Sequence, residues 1–396
     1  MINRLMKFSV LYLLFLTLAS CSSTSIRSTE YTPVIKEPGK IPEAQLLDVG
    51  IGIFDPGIDK SGKEQEGVYP DVRKAEARYM PYKLMETLQS TGNWGAVRVI
   101  PNRQSEMDVW VDAKILRSDG VTLKLDVTVS DTTGKVWYTK KYAETASKYA
   151  YDVRRVNKQD PFQGIYNRIA NDMMRYREQF TAADALNIRT VTKLKFARRF
   201  SPEAFSNYLS DDGKGHYTVK RLPAENDPLL QRIKRIRERD NMFVDTLQDY
   251  YGSFVKKMQG PYNSWRSETY SETLALQETR RSANAKLIGG AAAVIAGILG
   301  AASNTSLGQA AGYVGIAGGA YLAKAGLGER ENAKMHEEAL KELGTSLNAE
   351  VEPHTITLQN RTVTLSGTVD QQYKQWRQIL SEIYHTETGQ TTPITN

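Results

Sequence analysis

Apolar positions change their rhythm several times along this chain, and each change predicts a different element. "LLDVGIGIF" (46–54) alternates and is flanked by breakers, which predicts a strand. "DPGIDKSGKEQEGVYP" follows as a loop of Gly, Pro and charges. From Ala75 to Thr91 the spacing of Met80, Leu84, Met85 and Leu88 predicts a helix, with Gly92 in the stop position. "AVRVIP" is a second strand. "MDVWVDAKILRS" and "VTLKLDVTVSD" alternate on either side of Asp119-Gly120, a hairpin signal. "GKVWYTKKYAE" is a further strand after Thr133-Gly134. Strand, helix and a meander of strands together predict an α/β sheet domain over residues 46–150.

From Asp160 the period becomes helical. Asp160-Pro161 is expected to cap a helix carrying Phe162, Ile165, Ile169, Met173 and Tyr176 on one side. Ala182 to Phe200 continues helically, and Ser201-Pro202-Glu203 starts a short helix. Asp211-Asp212-Gly213 breaks it, and "HYTVKRL" reads as a lone strand. Asp227-Pro228 opens a long helix with Leu230, Ile233, Ile236, Phe243, Leu247, Phe254 and Met258 on one side. Gly260-Pro261 is expected to interrupt it, with a separate helix over Tyr262–Ala285. Residues 160–285 thus form a helical domain. The last segment, 329–396, reads as a charged helix, the strand pair "HTITLQN" and "RTVTLSGTV", and an amphipathic helix with Tyr373, Trp376, Ile379, Leu380 and Ile383. The expected fold class is α+β.

Between the helical region and this last module lies "KLIGGAAAVIAGILGAASNTSLGQAAGYVGIAGGAYLAKAGLG" (286–328), without a charged side chain between Lys286 and Lys324. Two apolar arms, Leu287–Ala302 and Leu307–Ala323, flank a polar turn. Glycine costs about 1 kcal/mol per residue in a water-exposed helix relative to Ala. In lipid the backbone must pair internally, and small residues let helices approach closely. Gly308, Gly312, Gly315 and Gly319 line one helical face, and Gly290, Gly297 and Gly300 share a stripe in the first arm. The pattern predicts a glycine-zipper hairpin. Each arm rises about 25 Å against a hydrocarbon core of roughly 30 Å, so shallow insertion, oligomeric packing and a buried Ala/Gly helical pair all remain open.

The beginning of the chain reads as an export signal: basic Arg4 and Lys7, an apolar run Phe8–Leu18, then small Ala19 and Ser20. Cys21 is the single cysteine of 396 residues. Leu18-Ala19-Ser20-Cys21 resembles the lipobox of bacterial lipoproteins. That resemblance implies a diacylglyceryl group on the Cys21 sulfur, cleavage before it and acylation of the new amine, hence a multi-chain lipid anchor. Ser22, where Asp commonly retains such proteins at the inner membrane, implies the outer membrane and its periplasmic face, with surface display left open as the alternative. Residues 22–45, rich in Ser, Thr and Pro, read as a tether reaching roughly 75 Å when extended at about 3.3 Å per residue.

Net charge is +7, a mild excess that suits anionic peptidoglycan or lipid headgroups; export argues against a nucleic-acid partner. With Cys21 acylated no disulfide is available, so the domains must rest on hydrophobic cores. "DVGIGIFDPG", "MPYKLMETLQSTGNWGAVRVIP" and "DVWVDAKIL" resemble the periplasmic α/β domains of the curli secretion lipoprotein and of lipoprotein activators of penicillin-binding proteins. Over most of its length the chain resembles proteobacterial lipoproteins with "GNWGAVRVIP" and "DPFQGIYNRIANDM"-like stretches, a likeness that implies a family and no activity. "TVTLSGTVD" is similar to the opening of periplasmic phospholipid-binding modules over a few residues; core packing explains it better.

Catalytic patterns are sparse. His216, His336, His354 and His385 are far apart and in no metal-ligand spacing; neither HExxH, GxSxG nor a phosphate-cradling loop is present. Asp55 and Asp59 are a carboxylate pair beside the first strand, more simply read as loop acids. The aromatic-basic stretches "RVIPNR" and "VWYTKKY" could contact glycan, although strand packing with snorkelling lysines accounts for them. The expectation is therefore a non-enzyme without metal or cofactor: an outer-membrane-anchored scaffold or assembly factor with envelope-protein or peptidoglycan partners. The alternatives are a membrane-active or pore-forming homo-oligomer built on the glycine hairpin, and a peptidoglycan-acting enzyme.

Overall fold

The computed structural model describes residues 32–37, 39, 41–59, 68–101, 103, 106–147, 149–151, 159–224, 226–300, 341–342, 354–358 and 361–388, with side chains of the long helix described up to position 274 apart from 272. Cys21 and Gly308, Gly312, Gly315 and Gly319 lie outside the described residues.

The fold is α+β. In chain order the elements are β1 (Val49–Gly52), α1 (Pro70–Thr91), β2 (Val97–Ile100), β3 (Val109–Ser118), β4 (Thr122–Asp131), β5 (Val136–Thr145), α2 (Gln163–Arg177), α3 (Ala182–Phe200) and α4 (Pro202–Phe205). They continue with β6 (Leu209–Asp211), β7 (Tyr217–Val219), α5 (Pro228–Gly300), β8 (His354–Leu358), β9 (Arg361–Leu365) and α6 (Val369–Thr388). The first five strands form one sheet in the order β2-β1-β3-β4-β5. β1 runs parallel to both neighbours, which requires the α1 crossover; β3, β4 and β5 form an antiparallel meander.

Alternation sets the two faces. Val111 pairs with Val129 and Ile115 with Leu125, so Val109, Val111, Ile115, Leu123, Leu125, Val127 and Val129 fall on one buried face. Trp110, Thr128 and Ser130 fall on the other. β2 is an edge strand. Its exposed backbone is covered by Gln248 of α5, which accepts from Val99 N at 2.9 Å and donates to Val99 O at 3.0 Å. A side-chain amide thus takes the place of a sixth strand.

The long helix spans 73 residues, about 110 Å at 1.5 Å per residue. The interruption expected at Gly260-Pro261 does not occur. Proline there removes one helical hydrogen bond, a penalty of about 3 kcal/mol. The buried row Phe254, Met258, Tyr262 and Trp265 continues across it at three- and four-residue steps and holds the axis. The separate helix expected from Tyr262 therefore belongs to α5, which continues into the first glycine arm as far as Gly300 and so contains Gly290, Gly297 and Gly300. Among the described residues no helix is long and apolar enough to cross a membrane.

The N-cap position of α2 is Phe162, without a side-chain cap, and Asp160 supports the turn before it, its Oδ1 accepting from Phe162 N at 2.9 Å. That helix begins at Gln163, and the Asp160 carboxylate turns inward to the Arg266 guanidinium with contacts of 3.2 and 3.1 Å. Both side chains are almost fully buried, at 2% and 3% exposure. Tyr79 donates to Asp160 at 3.1 Å, and Arg266 lies 4.1 Å from the Tyr262 ring centroid. Tyr262 in turn donates to Glu76 of α1 at 2.6 Å. Burial alone would raise the Asp160 pKa, but Arg266 beside it holds it below the usual carboxylate value. α5 passes the β3–β4 turn so closely that a Cβ on Gly120, at φ +75°, would stand 2.5 Å from Arg266 O. Only glycine fits both the conformation and the contact.

Two further ion pairs tie the same helix: Asp245 to Arg98 of β2 at 2.6 Å and Asp240 to Arg377 of α6 at 2.7 Å. α6 also lays Trp376 on Phe243 (centroids 5.1 Å) and Tyr384 against Phe200 (6.0 Å). One hydrophobic cluster consequently runs through the sheet, the central helices and α6, although composition separates these stretches. The strand expected to stand alone pairs instead: β7 is antiparallel to β6.

The stretch read as a tether is docked in its second half. Asn167 and Asn171 of α2 donate to Thr32 O and Pro33 O, Asn171 accepts from Ile35 N, and Asn93 accepts from Glu37 N. Arg189 of α3 donates to Glu43 O and Leu46 O. Side-chain amides that both donate and accept can read an extended backbone, so low apolar content there does not leave the segment unbound.

Replacing Arg266 by Met should strand a buried carboxylate and lower stability by about 3–5 kcal/mol, read from urea unfolding of the full chain. R266M combined with D160N should cost less than R266M alone. Because the folded pKa of Asp160 lies below its ordinary 3.8, its contribution is present at neutral pH and is lost on acidification through and below that value.

Candidate functional site: a cationic cleft beside the sheet

The outer row of the sheet opens into a cleft of about 700 Å³. Trp110 of β3 and Thr128 and Ser130 of β4 form its floor; Lys195, Arg198 and Arg199 from the last turns of α3 form one wall; Lys214 and Tyr217 from the β6–β7 hairpin form another. α3 delivers its cations there for a local reason. Thr181 and Asp184 cap its first turn reciprocally, fixing the register, and basic residues gather at the carbonyl end, where the helix dipole favours them.

Two hairpin turns meet at the rim. Tyr217 N donates to Thr133 O at 2.8 Å. A Cβ on Gly134, whose φ is +93°, would stand 2.2 Å from Gly215 O, so this approach also requires glycine.

Five cations line the cleft (Arg103, Lys195, Arg198, Arg199 and Lys214) against two acids, Glu106 and Asp131. Both acids are buried and already engaged. Glu106 is bound by Arg199 at 2.6 Å and Lys195 at 3.6 Å. Asp131 accepts from Trp137 Nε1 at 2.8 Å, from Thr133 N at 2.8 Å and from the Thr133 hydroxyl. Asp112 and Asp211 pair with Arg103 and Arg198 from outside the lining, both partly exposed. The aromatic faces carry cations as well: Lys195 and Arg198 lie 4.4 and 5.1 Å from the Tyr217 centroid, and Arg103 lies 5.2 Å from Trp110. Arg103 is half exposed, and its partial desolvation lowers its pKa from the ordinary guanidinium value. Thr132, only 3% exposed, is part of the lining, and its buried hydroxyl has no hydrogen-bond partner.

A second cavity of about 380 Å³ lies between α3 and α5. Lys193, Lys234 and Arg237 line it together with Arg189, Asp48, Asp108 and Glu238. Burial, reinforced by Arg189, Arg237 and Lys234, lowers the Lys193 pKa. Burial beside Asp48 raises that of Asp108, which accepts from Thr192 at 2.6 Å and from Asp48 N at 2.9 Å. α3 thus carries basic residues on two flanks.

The chemistry anticipated elsewhere is not assembled here. Asp55 pairs with Lys114 at 3.8 Å and bonds Gly57 N. His216 meets Asp212 at 2.7 Å on an exposed hairpin. Among the described residues no group of His, Cys, Asp and Glu is arranged to hold a metal ion. Of the two aromatic-basic stretches, one sends Arg103 and the other Val136 to the cleft; Trp137 stacks instead on Tyr176 at 5.0 Å, and Lys140 pairs with Asp172 at 2.7 Å. The α3 cations were not singled out from sequence, though "KFARR" at a helix C-terminus is a readable signal.

No protein-family model and no curated protein matches this chain. Among solved structures, a point variant of the PelC dodecamer from Paraburkholderia phytofirmans aligns with 42% of this chain and 96% of its own, at 10% identity and a TM-score of 0.19. A likeness at that score carries no argument about fold, assembly or function.

Replacing Lys193 by Met should relieve the like-charge crowding and stabilise the chain at pH 7 by on the order of 0.5–1 kcal/mol, its partial exposure being allowed for. The folded Lys193 pKa lies below 10.5, so the unfolded chain binds the extra proton between the two values and wild-type stability rises with pH there. The advantage of K193M should shrink as pH climbs towards that upper value, and should also shrink in 0.5 M salt; thermal unfolding checks both.

Proposed function

We propose that this chain is a lipid-anchored, non-catalytic scaffold of the bacterial envelope, held to the outer membrane through acylated Cys21 with its body facing the periplasm. The observation that supports this most is α5. Its first part is built into the body through Asp240, Asp245 and Arg266, and the same unbroken helix runs on to Gly300. The glycine-rich stretch thereby continues a rod fixed to the body, about 40 Å beyond Thr273 at 1.5 Å per residue. A rod of this kind sets distance and orientation between the folded body and whatever the glycine segment contacts, which is the work of an assembly factor. Docking of residues 32–37 supports the same reading, because it shortens the free tether and brings the body towards its anchor.

The continuity of α5 with Gly290, Gly297 and Gly300 also supports a second reading, in which the glycine arms pack copies of this chain into an oligomer at the membrane.

Fractionation of cells tests both. The Cys21→Ala variant should move from the membrane pellet to the soluble periplasm, and mass spectrometry of the wild-type mature amino terminus should find the acylated cysteine. Deletion of residues 287–323 should leave the anchor intact while removing partners captured by crosslinking in intact cells. An unmodified thiol at Cys21 in the mature protein would overturn the anchored reading. Loss of self-crosslinks alone on deletion would favour the oligomer.

A further inference from the structure

We propose that the cationic cleft between the outer row of the sheet, α3 and the β6–β7 hairpin binds an anionic saccharide, its acidic groups met by Arg198, Lys214 and Arg103 and its hydroxyls by Thr132 and Ser130. The site is a separate feature from the lipid anchor, and neither depends on the other.

Three observations carry this. The first is charge: five cations meet two acids in the lining, Glu106 and Asp131 have their oxygens bound to neighbouring donors, and Asp112 and Asp211, which pair with Arg103 and Arg198 from outside it, leave an excess of one positive charge. The field inside the cleft therefore favours an anion. The second is the Thr132 hydroxyl. It is buried, belongs to a residue of the lining and has no partner, although a buried polar group is ordinarily hydrogen-bonded. Once the Thr132 side chain turns towards the cleft, a ligand hydroxyl or carboxylate seated there would satisfy it. The third is size. At about 700 Å³ the cleft falls within the range of organic-ligand sites, whereas a lone phosphate takes the room of only a few waters at roughly 30 Å³ each. The positive groups are also spread, with Arg103 over Trp110 of β3 and Lys214 on the β6–β7 hairpin.

The lining distinguishes a saccharide from an acidic peptide. Val136 is its single aliphatic side chain, and the rest is hydroxyls, cations, the two acids, glycine and two aromatic rings. A peptide would find no apolar pocket for an anchor residue. The ring faces of Trp110 and Tyr217 are met by guanidinium and ammonium groups, so recognition rests on charge and hydroxyl contacts more than on stacking of a neutral sugar.

The test is isothermal titration of the full chain in detergent with trigalacturonate, using maltotriose, inorganic phosphate and a short polyglutamate peptide as comparisons. Trigalacturonate should bind at least tenfold more tightly than any of the three and weaken as salt is raised. R198A combined with K214A, both away from the buried Glu106 contacts, should reduce affinity tenfold or more. T132V keeps the side-chain shape and leaves the Lys195 contact to the Thr132 backbone carbonyl; it should weaken binding threefold or more with an unchanged or raised melting temperature. Equal affinity for phosphate, tighter binding of the peptide, no binding of trigalacturonate, or full affinity in T132V and in R198A/K214A would each overturn the assignment. None of these outcomes changes the membrane fractionation of Cys21→Ala, so the two proposals fail separately.

Discussion

The buried contact between Arg266 and Asp160 is the joint on which the rest of the structure turns. A guanidinium and a carboxylate, both removed from water, are held only if each is met by its partner and by further polar groups. Here Tyr79 completes Asp160, and the Tyr262 ring covers Arg266 while its hydroxyl reaches Glu76. Four elements far apart in sequence must therefore arrive together: α1, the segment before α2, the β3–β4 turn at Gly120, and α5. A long helix packed by hydrophobic contacts alone could slide by a turn at modest cost. A buried ion pair with Gly120 pressed against the backbone at Arg266 permits one register. This contact also explains why Pro261, five residues away, is tolerated inside the helix.

The same joint links architecture to the envelope reading. Upstream of it, Asp240 and Asp245 hold α5 to α6 and to the sheet edge; downstream, the helix continues into glycine-rich sequence. Whatever acts on the glycine segment acts on the sheet through a stiff lever, not through a linker. Along α2 and the end of α1 the docked segment at 32–37 hangs on three asparagines. Body, rod and tether thus meet with little slack between them, an arrangement suited to holding partners at a set spacing.

Much of this was legible in the sequence, and the reasons differ by element. The sheet alternates at period two, and Asp119-Gly120 and Thr133-Gly134 mark its turns, because local chemistry decides those features. Helices α1, α3 and α6 follow from apolar spacing. Reading fails where tertiary contacts override local preference. Pro261 signals a break, yet its neighbours Met258, Tyr262 and Trp265 are buried on one continuous row. Asp160-Pro161 has the form of a cap and the carboxylate does accept from Phe162 N, yet it also has a distant cation to meet. The Ser/Thr/Pro stretch lacks an apolar period, yet side-chain amides bind its backbone. In the cleft, Arg103, Lys195, Arg198 and Lys214 come from three regions of the chain, and no local pattern announces that they converge.

That convergence has a physical cost which bears on what the cleft is for. Bringing five cations around one space raises the energy of the folded chain, and two buried acids with outlying Asp112 and Asp211 offset part of it. Stability alone would be served better by spreading these cations over the surface. Instead α3 ends in Lys195, Arg198 and Arg199 against a hairpin that Gly134 allows to come close, and a buried hydroxyl of the lining is left without a partner. Crowded like charge and an unmet donor in one concave place describe half of an interaction. The half not supplied by the protein is, on the proposal above, negatively charged and rich in hydroxyls.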